Sequence, residues 1–224
     1  MIDWQPLWLT AELAALTTAI LFVVGLPLAY WLAFSHRRIK PVVETLVSMP
    51  LVLPPSVLGF YLLLAFNPNA AFGQWLASQF DIRLAFSFAG LVIGSVLFSL
   101  PFMVHPLQSA LQTLPADLRE ASYTLGKSTL TTLFKVLLPN IKPALLSGCV
   151  MTFAHTVGEF GVVLMIGGNI PGVTKVASIA IYDEVESLNY PAAHTYAAIL
   201  FVVSFVIVLM VYWLNRHASR AIAT

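Results

Sequence analysis

Charge is scarce in this chain, and the scarcity excludes more than any single motif identifies. Only 9% of the 224 residues are Asp, Glu, Lys or Arg, against 59% hydrophobic types. A soluble domain of this size carries about 25% charged residues, so a water-facing surface cannot be assembled from this composition. With a mean hydropathy of +0.88, the outside of the molecule must face lipid. Cysteine is nearly absent. The single Cys149 rules out an intrachain disulfide and a thiolate metal cage, and its apolar neighbours mark it as a small lipid- or core-facing residue. The net charge of +1 says nothing about nucleic acid, but no basic stripe suits a phosphate backbone, so no nucleic-acid partner is expected. No Gly-x-x-x-x-Gly-Lys-Ser/Thr loop, His-Glu-x-x-His or Gly-x-Ser-x-Gly occurs, so the chain carries none of the usual machinery for ATP hydrolysis, zinc proteolysis or serine-nucleophile chemistry. Of the five histidines, His36, His105, His155, His194 and His217, only His155 lies clearly within an apolar run. Haem ligation takes two at matched depth, so none is expected. A cleaved leader begins with a basic region, but Asp3 and Glu12 are the only early charges, and the first apolar run is expected to stay in the mature protein.

What the chain does have is long apolar runs. A helix needs about 20 mostly apolar residues to cross the hydrocarbon core. Five stretches qualify, at about 7–34, 45–66, 84–104, 144–167 and 192–214. Arg37, Arg38 and Lys40 follow the first. Arg119, Lys127, Lys135 and Lys142 lie between the third and fourth, and Arg216 and Arg220 follow the fifth. Only Arg83 and Lys175 fall on the other side. Loops rich in Lys and Arg stay cytoplasmic, which places the N-terminus outside and the C-terminus inside. An odd number of spans yields that result directly. A sixth would have to come from 170–190, where Asp183, Glu184 and Glu186 oppose it. On the outer side, 72–80 with Trp75 and Phe80 suits the aromatic belt, and 173–185 reads as a short surface helix or an ordinary loop. The fold class is therefore all-α integral membrane, with one transmembrane domain over 1–224.

Two spans carry helix breakers. The second contains Met49-Pro50-Leu51-Val52-Leu53-Pro54-Pro55-Ser56 and then Gly59. Counted along a straight helix at about 1.5 Å per residue, Pro54 lies roughly 15 Å deep. Prolines there remove backbone donors and free carbonyls that lipid cannot satisfy, so the segment either kinks for packing or lines a wet cavity. The fourth contains His155, Thr156, Gly158, Glu159 and Gly161, followed by Gly167, Gly168 and Pro171. An intramembrane carboxylate is a functional candidate, but Glu159 falls near the outer interface, about 24 Å from Pro143. A bare carboxylate suits an anion path poorly, so a hinge or gate role and a purely structural role stand side by side. His155 reads as a polar contact to another helix. Ser56, Gly59, Thr156 and Glu159 form the set of candidate path residues, with Pro54, Pro55, Gly158 and Gly161 as gate candidates beside them.

The inner loop, about 112–142, holds the most specific pattern. Leu114, Leu118, Ala121 and Leu125 recur at helical spacing. Gly126 suits a helix C-terminus, and Ser128 can cap the next helix, with Leu130, Leu133, Phe134, Leu137 and Leu138 as a second stripe. Pro139 and Pro143 stop it. Two short amphipathic helices meeting at a glycine either dock in a partner's groove or lie on the lipid headgroups.

The run Glu120-Ala121-Ser122, three residues, Gly126, nine residues, then Val136-Leu137-Leu138-Pro139 resembles the signature loop of bacterial ABC importer permeases. Ser122 stands for the family's second Ala, and Val136 for its Ile. Leu53-Pro54-Pro55-Ser56-Val57-Leu58-Gly59, Ser99-Leu-Pro-Phe-Met-Val and Val157-Gly-Glu-Phe-Gly with Gly168-Asn-Ile-Pro-Gly are similar to the molybdate and sulfate branch. The shortness of the chain and the second glycine-rich run favour molybdate, with tungstate and sulfate as alternatives. The resemblance implies a type I importer permease in the inner membrane that is not itself an enzyme. It implies a homodimer, two ATP-binding partner subunits contacted through Glu120, Ala121, Ser122, Leu125, Gly126, Val136, Leu138 and Pro139, and an external molybdate-binding protein. No cofactor is implied. A secondary anion transporter is the rival class; those folds show paired repeats, into which five spans do not divide, and they have no use for the signature loop.

Overall fold

The structure, a computed structural model, describes residues 2–80 and 82–222, and past residue 210 the side chains of Tyr212 and Trp213 alone. Leu214, Arg216, His217 and Arg220 lie outside the described side chains. Every regular element among the described residues is helical. Three helices are long and apolar enough to cross a membrane unbroken: α1 (Gln5–Phe34), α5 (Phe88–Thr113) and α12 (Tyr190–Ile222). Two further pairs of helices pass the same test together but are bent at a break, so the count is three, or up to the five expected if each bent pair is one span.

The first broken span is α2 (Lys40–Val52) and α3 (Pro55–Phe66), bent by 113° at Leu53–Pro54. Pro50 sits inside α2, and the break falls at the paired prolines, where neither residue can continue an i→i−4 ladder. The straight-helix depth of Pro54 is therefore corrected. With this bend the pair reaches roughly 20 Å end to end instead of about 38 Å. A short helix on the outer side, α4 (Ala71–Phe80), exposes Phe72, Trp75 and Phe80. α5 starts at Ser87, whose side chain accepts the Gly90 amide at 3.1 Å, and it runs nine residues past the expected end at 104. Pro101 and Pro106 are absorbed within it.

After α5 come α6 (Ala116–Thr124), α7 (Thr129–Thr132), a π turn over Leu133–Leu137 and α8 (Leu138–Asn140). The chain then bends by 83° into α9 (Lys142–Val157). α9 is about 24 Å long, short of the hydrocarbon core, and α10 (Gly161–Gly167) prolongs it after a break at 158–160. α11 (Ala177–Glu186) is ten residues long and so leaves no sixth span in 170–190.

Contacts at the two ends of α1 fix the sides. At its C-terminal end the Arg119 guanidinium lies 4.4 Å from the Phe34 ring centroid, on the side of the lysines and arginines. At its N-terminal end the Tyr196 hydroxyl donates to the Asp3 carbonyl at 2.7 Å, and the Ala177 amide donates to Thr10 Oγ1 at 2.8 Å. One apolar cluster fills the inner half around Leu32, Leu107, Leu111 and Leu137. Another fills the outer half around Leu13, Leu91, Val163 and Ile179. Cys149 is half-buried against the inner cluster.

Candidate functional site

Two sites follow from this frame, one at the cytoplasmic end and one at the helix breaks. At the cytoplasmic end α6 closes with a Schellman motif. The Gly126 amide donates to Tyr123 O at 2.9 Å and the Lys127 amide to Ser122 O at 3.1 Å, with Gly126 at φ +72°. Ser128 then caps α7 by accepting the Thr131 amide at 3.3 Å. The two helices are tied by Ser122 and Thr132, both buried, at 2.8 Å. Thr132 spends its proton on the Ser128 carbonyl at 3.0 Å, so Ser122 is the donor of the pair. The Ser that departs from the signature's Ala thus clamps one loop helix to the other.

The expected apolar stripes divide. Leu133 and Leu137 are buried in the inner cluster, and Val136 and Leu138 are half-buried against it. Glu120, Ala121, Leu125, Leu130 and Phe134 are exposed, Leu125 at 74%. The π turn accounts for the split: its extra residue rotates the stripe, so Leu130 and Phe134 no longer share a face with Leu133 and Leu137. Gly126 and Pro139 are exposed as well. The loop therefore offers an apolar knob on a rigid hairpin. α6 is held to α1 by Arg119 over Phe34 and by Tyr30 and Tyr123, whose hydroxyls lie 3.4 Å apart.

At the breaks, the start of α3 meets the α9–α10 junction across a cleft of about 700 Å³. Pro55 and Ser56 form one wall, His155, Gly158, Glu159 and Gly161 the other, with Phe98 of α5 between. Pro54 is the N-cap of α3 and is exposed together with Pro55 and Ser56. α3 thus points the positive end of its peptide dipoles toward the cleft, a placement suited to anions.

Two glycines set how closely the walls approach. A Cβ on Gly161 would lie 2.8 Å from Pro55 Cβ, and one on Gly59 2.8 Å from Met165 Cβ. Gly59 is buried between α3 and α10, so it packs the two helices and does not border the cleft. Thr156 is buried too, its hydroxyl donating to Thr152 O at 2.9 Å and standing 3.0 Å from Ser99 Oγ. Gly158 is exposed.

Glu159 does not reach outer water. It is 4% exposed, and neither carboxyl oxygen has a hydrogen-bond partner. Ser95 stands beside it, but its Oγ is also unpartnered, so the two fall short of hydrogen-bonding geometry. The Glu159 backbone carbonyl accepts from Ser178 of α11 at 2.6 Å, which pins the break to the outer layer. An unpaired buried polar group costs about 1–3 kcal/mol, so its persistence at the break needs a reason beyond packing.

His155 was legible only as an interhelical contact. The structure gives it more: its ring stacks on Phe102 at 4.0 Å and its Nδ1 lies 2.9 Å from Ser99 Oγ. The outer layer is locked by Lys175 and Asp183 at 2.5 Å and by Asn169, which donates to both Asp183 oxygens at 2.6 and 2.7 Å. Gly168 and Gly172, at φ +63° and +75°, shape that loop. On α11 the Tyr182 hydroxyl donates to Glu186 at 2.5 Å; that bond, and the carboxylate's charge, raise the phenol above its ordinary pKa.

Residues 25–222 match the family described as the inner membrane component of binding-protein-dependent transport systems. The chain is 45% identical over 217 residues to the molybdenum transport system permease protein ModB of Azotobacter vinelandii, covering 97% of this chain and 96% of that one. It is 33% identical over 200 residues to the sulfate transport system permease protein CysT of Salmonella typhimurium, covering 89% and 72%. Among solved structures the fold is similar to the inward-facing MetNI methionine ABC transporter, with TM-score 0.72, 19% identity and 95% and 94% coverage. It is also similar to a bacterial ABC transporter for alginate import, with TM-score 0.77, 18% identity and 95% and 78% coverage. With the signature-loop hairpin at one end and apolar helices around a cleft, the chain belongs to the inner membrane components of binding-protein-dependent transport systems.

Proposed function

We propose that this chain forms the path by which molybdate, and tungstate with it, crosses the inner membrane, driven by ATP hydrolysis in a partner subunit. The observation that carries the reading is the 45% identity with a molybdenum transport permease over nearly the full length of both chains. Sulfate permeases are more distant and longer, the chain covering 72% of the one compared. In this reading the chain works as two copies with two ATP-binding subunits, and an external binding protein delivers the anion. The α6–α7 hairpin, with Glu120, Ala121 and Leu125 exposed on a Schellman-capped frame, seats in the ATP-binding subunit. Its movement passes through Arg119 and Phe34 into α1 and through the π turn into α9.

The cleft between α3 and the α9–α10 break is the passage. Its wall carries no Lys or Arg. Ser56 and the start of α3 offer dipoles without a fixed charge, so a dianion is guided and released, not trapped. Glu159, at the break pinned by Ser178, serves as a hinge. The test is uptake of radiolabelled molybdate in cells carrying this chain with its ATPase and binding protein. Block by roughly nanomolar tungstate but not by roughly millimolar sulfate supports the reading. Uptake of sulfate alone overturns the substrate, and absence of ATP-dependent oxyanion uptake overturns the importer.

A further inference from the structure

The inference concerns His155 and rests on the oxyanion path proposed above. Three polar contacts run in series: His155 Nδ1 to Ser99 Oγ at 2.9 Å, Ser99 Oγ to Thr156 Oγ1 at 3.0 Å, and Thr156 Oγ1 to the Thr152 carbonyl at 2.9 Å. A carbonyl can only accept, so Thr156 donates to it. Each hydroxyl has one proton. Ser99 must then donate to Thr156, and the contact between Ser99 and the imidazole is a hydrogen bond only if Nδ1 carries a proton. A backbone carbonyl two residues beyond the cleft wall therefore selects the imidazole tautomer through two hydroxyls.

The other ring nitrogen is the functional end. Among the described residues Nε2 has no hydrogen-bond partner, and it is absent from the buried unpaired polar atoms there, which are on Thr17, Ser95, Thr152 and Glu159. It is thus open at the surface of the ring. Stacking on Phe102 at 4.0 Å and 26° and the contact with Phe98 at 4.9 Å hold the ring plane. The ring borders the cleft that contains Ser56 and Glu159, and also a more apolar recess between α9 and α12. Water is held by polar walls, so the first is where a lone pair finds a donor.

We propose that His155 is a path residue, its Nε2 lone pair accepting a hydrogen bond from a water molecule of the oxyanion's hydration shell. A deprotonated tetrahedral oxyanion offers only acceptors, so a neutral imidazole in this tautomer meets it through such a water and not directly. That contact keeps the anion solvated at a place with no Lys or Arg, and holds it weakly enough to leave.

Two variants separate this role from a structural one. In His155→Gln the amide end takes the place of Nε2 and the bond to Ser99 is lost. In His155→Asn the amide takes the place of Nδ1 and nothing remains at Nε2. Uptake of radiolabelled molybdate is measured per assembled permease–ATPase complex in proteoliposomes with the binding protein, alongside the unfolding temperature of each complex. The expected result is Gln within about twofold of the native rate and Asn lower by about five- to tenfold, the range of one hydrogen bond, although Asn preserves the unfolding temperature better. Uptake that follows the reverse order, or equal loss in both, overturns the role of Nε2. Native complex that carries no oxyanion overturns the transport reading instead.

Discussion

Single residues decide how the helices end and how closely they approach. Gly126 has open space where a Cβ would stand but a φ of +72°, so a substitution there is resisted by the backbone alone. Gly126→Val should cost about 1–2 kcal/mol or more and abolish uptake, whereas Gly126→Asn, at home in the left-handed region, should retain most of it. Equal uptake by the two would show that the cap is unimportant. Gly161 is the opposite case. Its Cβ would collide with Pro55 at 2.8 Å, while a Cβ on Gly158 meets only carbonyl oxygens at 3.7 Å and beyond. Gly161→Ala should lower stability by about 1–3 kcal/mol and Gly158→Ala should lie near neutral, as read from thermal unfolding of the purified complex. The need for glycine near 126 was legible from the Leu125-Gly126-Lys127-Ser128 punctuation. The need at 59 and 161 was not, because it arises from residues on helices distant in sequence.

At the scale of the element, the breakers were visible but their angles were not. Pro54-Pro55 announces an interruption. The 113° turn depends on α3 finding its seat on α10, through Gly59 and Gly161. The inner loop was read as two helices joined at a glycine, and α6 and α7 take that form. Its second stripe does not stay on one face, because a π turn has no periodicity signature and splits Leu130 and Phe134 from Leu133 and Leu137. Ser122 bonds to a Thr132 hydroxyl whose own proton is already placed on Ser128 O. Ser122→Ala removes one donor and leaves Thr132 satisfied, so uptake should change by less than about threefold. Glu120→Lys reverses the charge of an exposed side chain on the hairpin proposed to dock on the ATP-binding subunit and should stop uptake while the chain still inserts. Transport at the native rate by a stably inserted Glu120→Lys protein would remove the hairpin from the coupling mechanism.

The molecule as a whole exposes far more apolar surface than a water-soluble chain tolerates. Trp8, Val23, Phe201, Phe205 and Tyr212 are each more than half exposed, and lipid or a second copy must cover them. The prolines and Ser56 at the start of α3 are exposed as well. A second copy facing this side would close the cleft into a passage. Native mass measurement of the detergent-purified complex should find two copies of this chain with two ATP-binding subunits. A single copy in a transport-competent complex would exclude the dimer.

The sequence by itself determined the membrane fold class, the apolar runs from which the spans are drawn and the two-helix inner loop that carries the signature. Each depends on composition, run length or local spacing, quantities carried by neighbours along the chain. Only the tertiary structure decided which of the marked residues meet. It closed Glu159 away from water, turned Gly59 and Gly161 into packing contacts and joined His155 to Ser99 across 56 residues. Those placements follow from helix packing, in which each side chain's surroundings are supplied by another helix, and no local pattern encodes them.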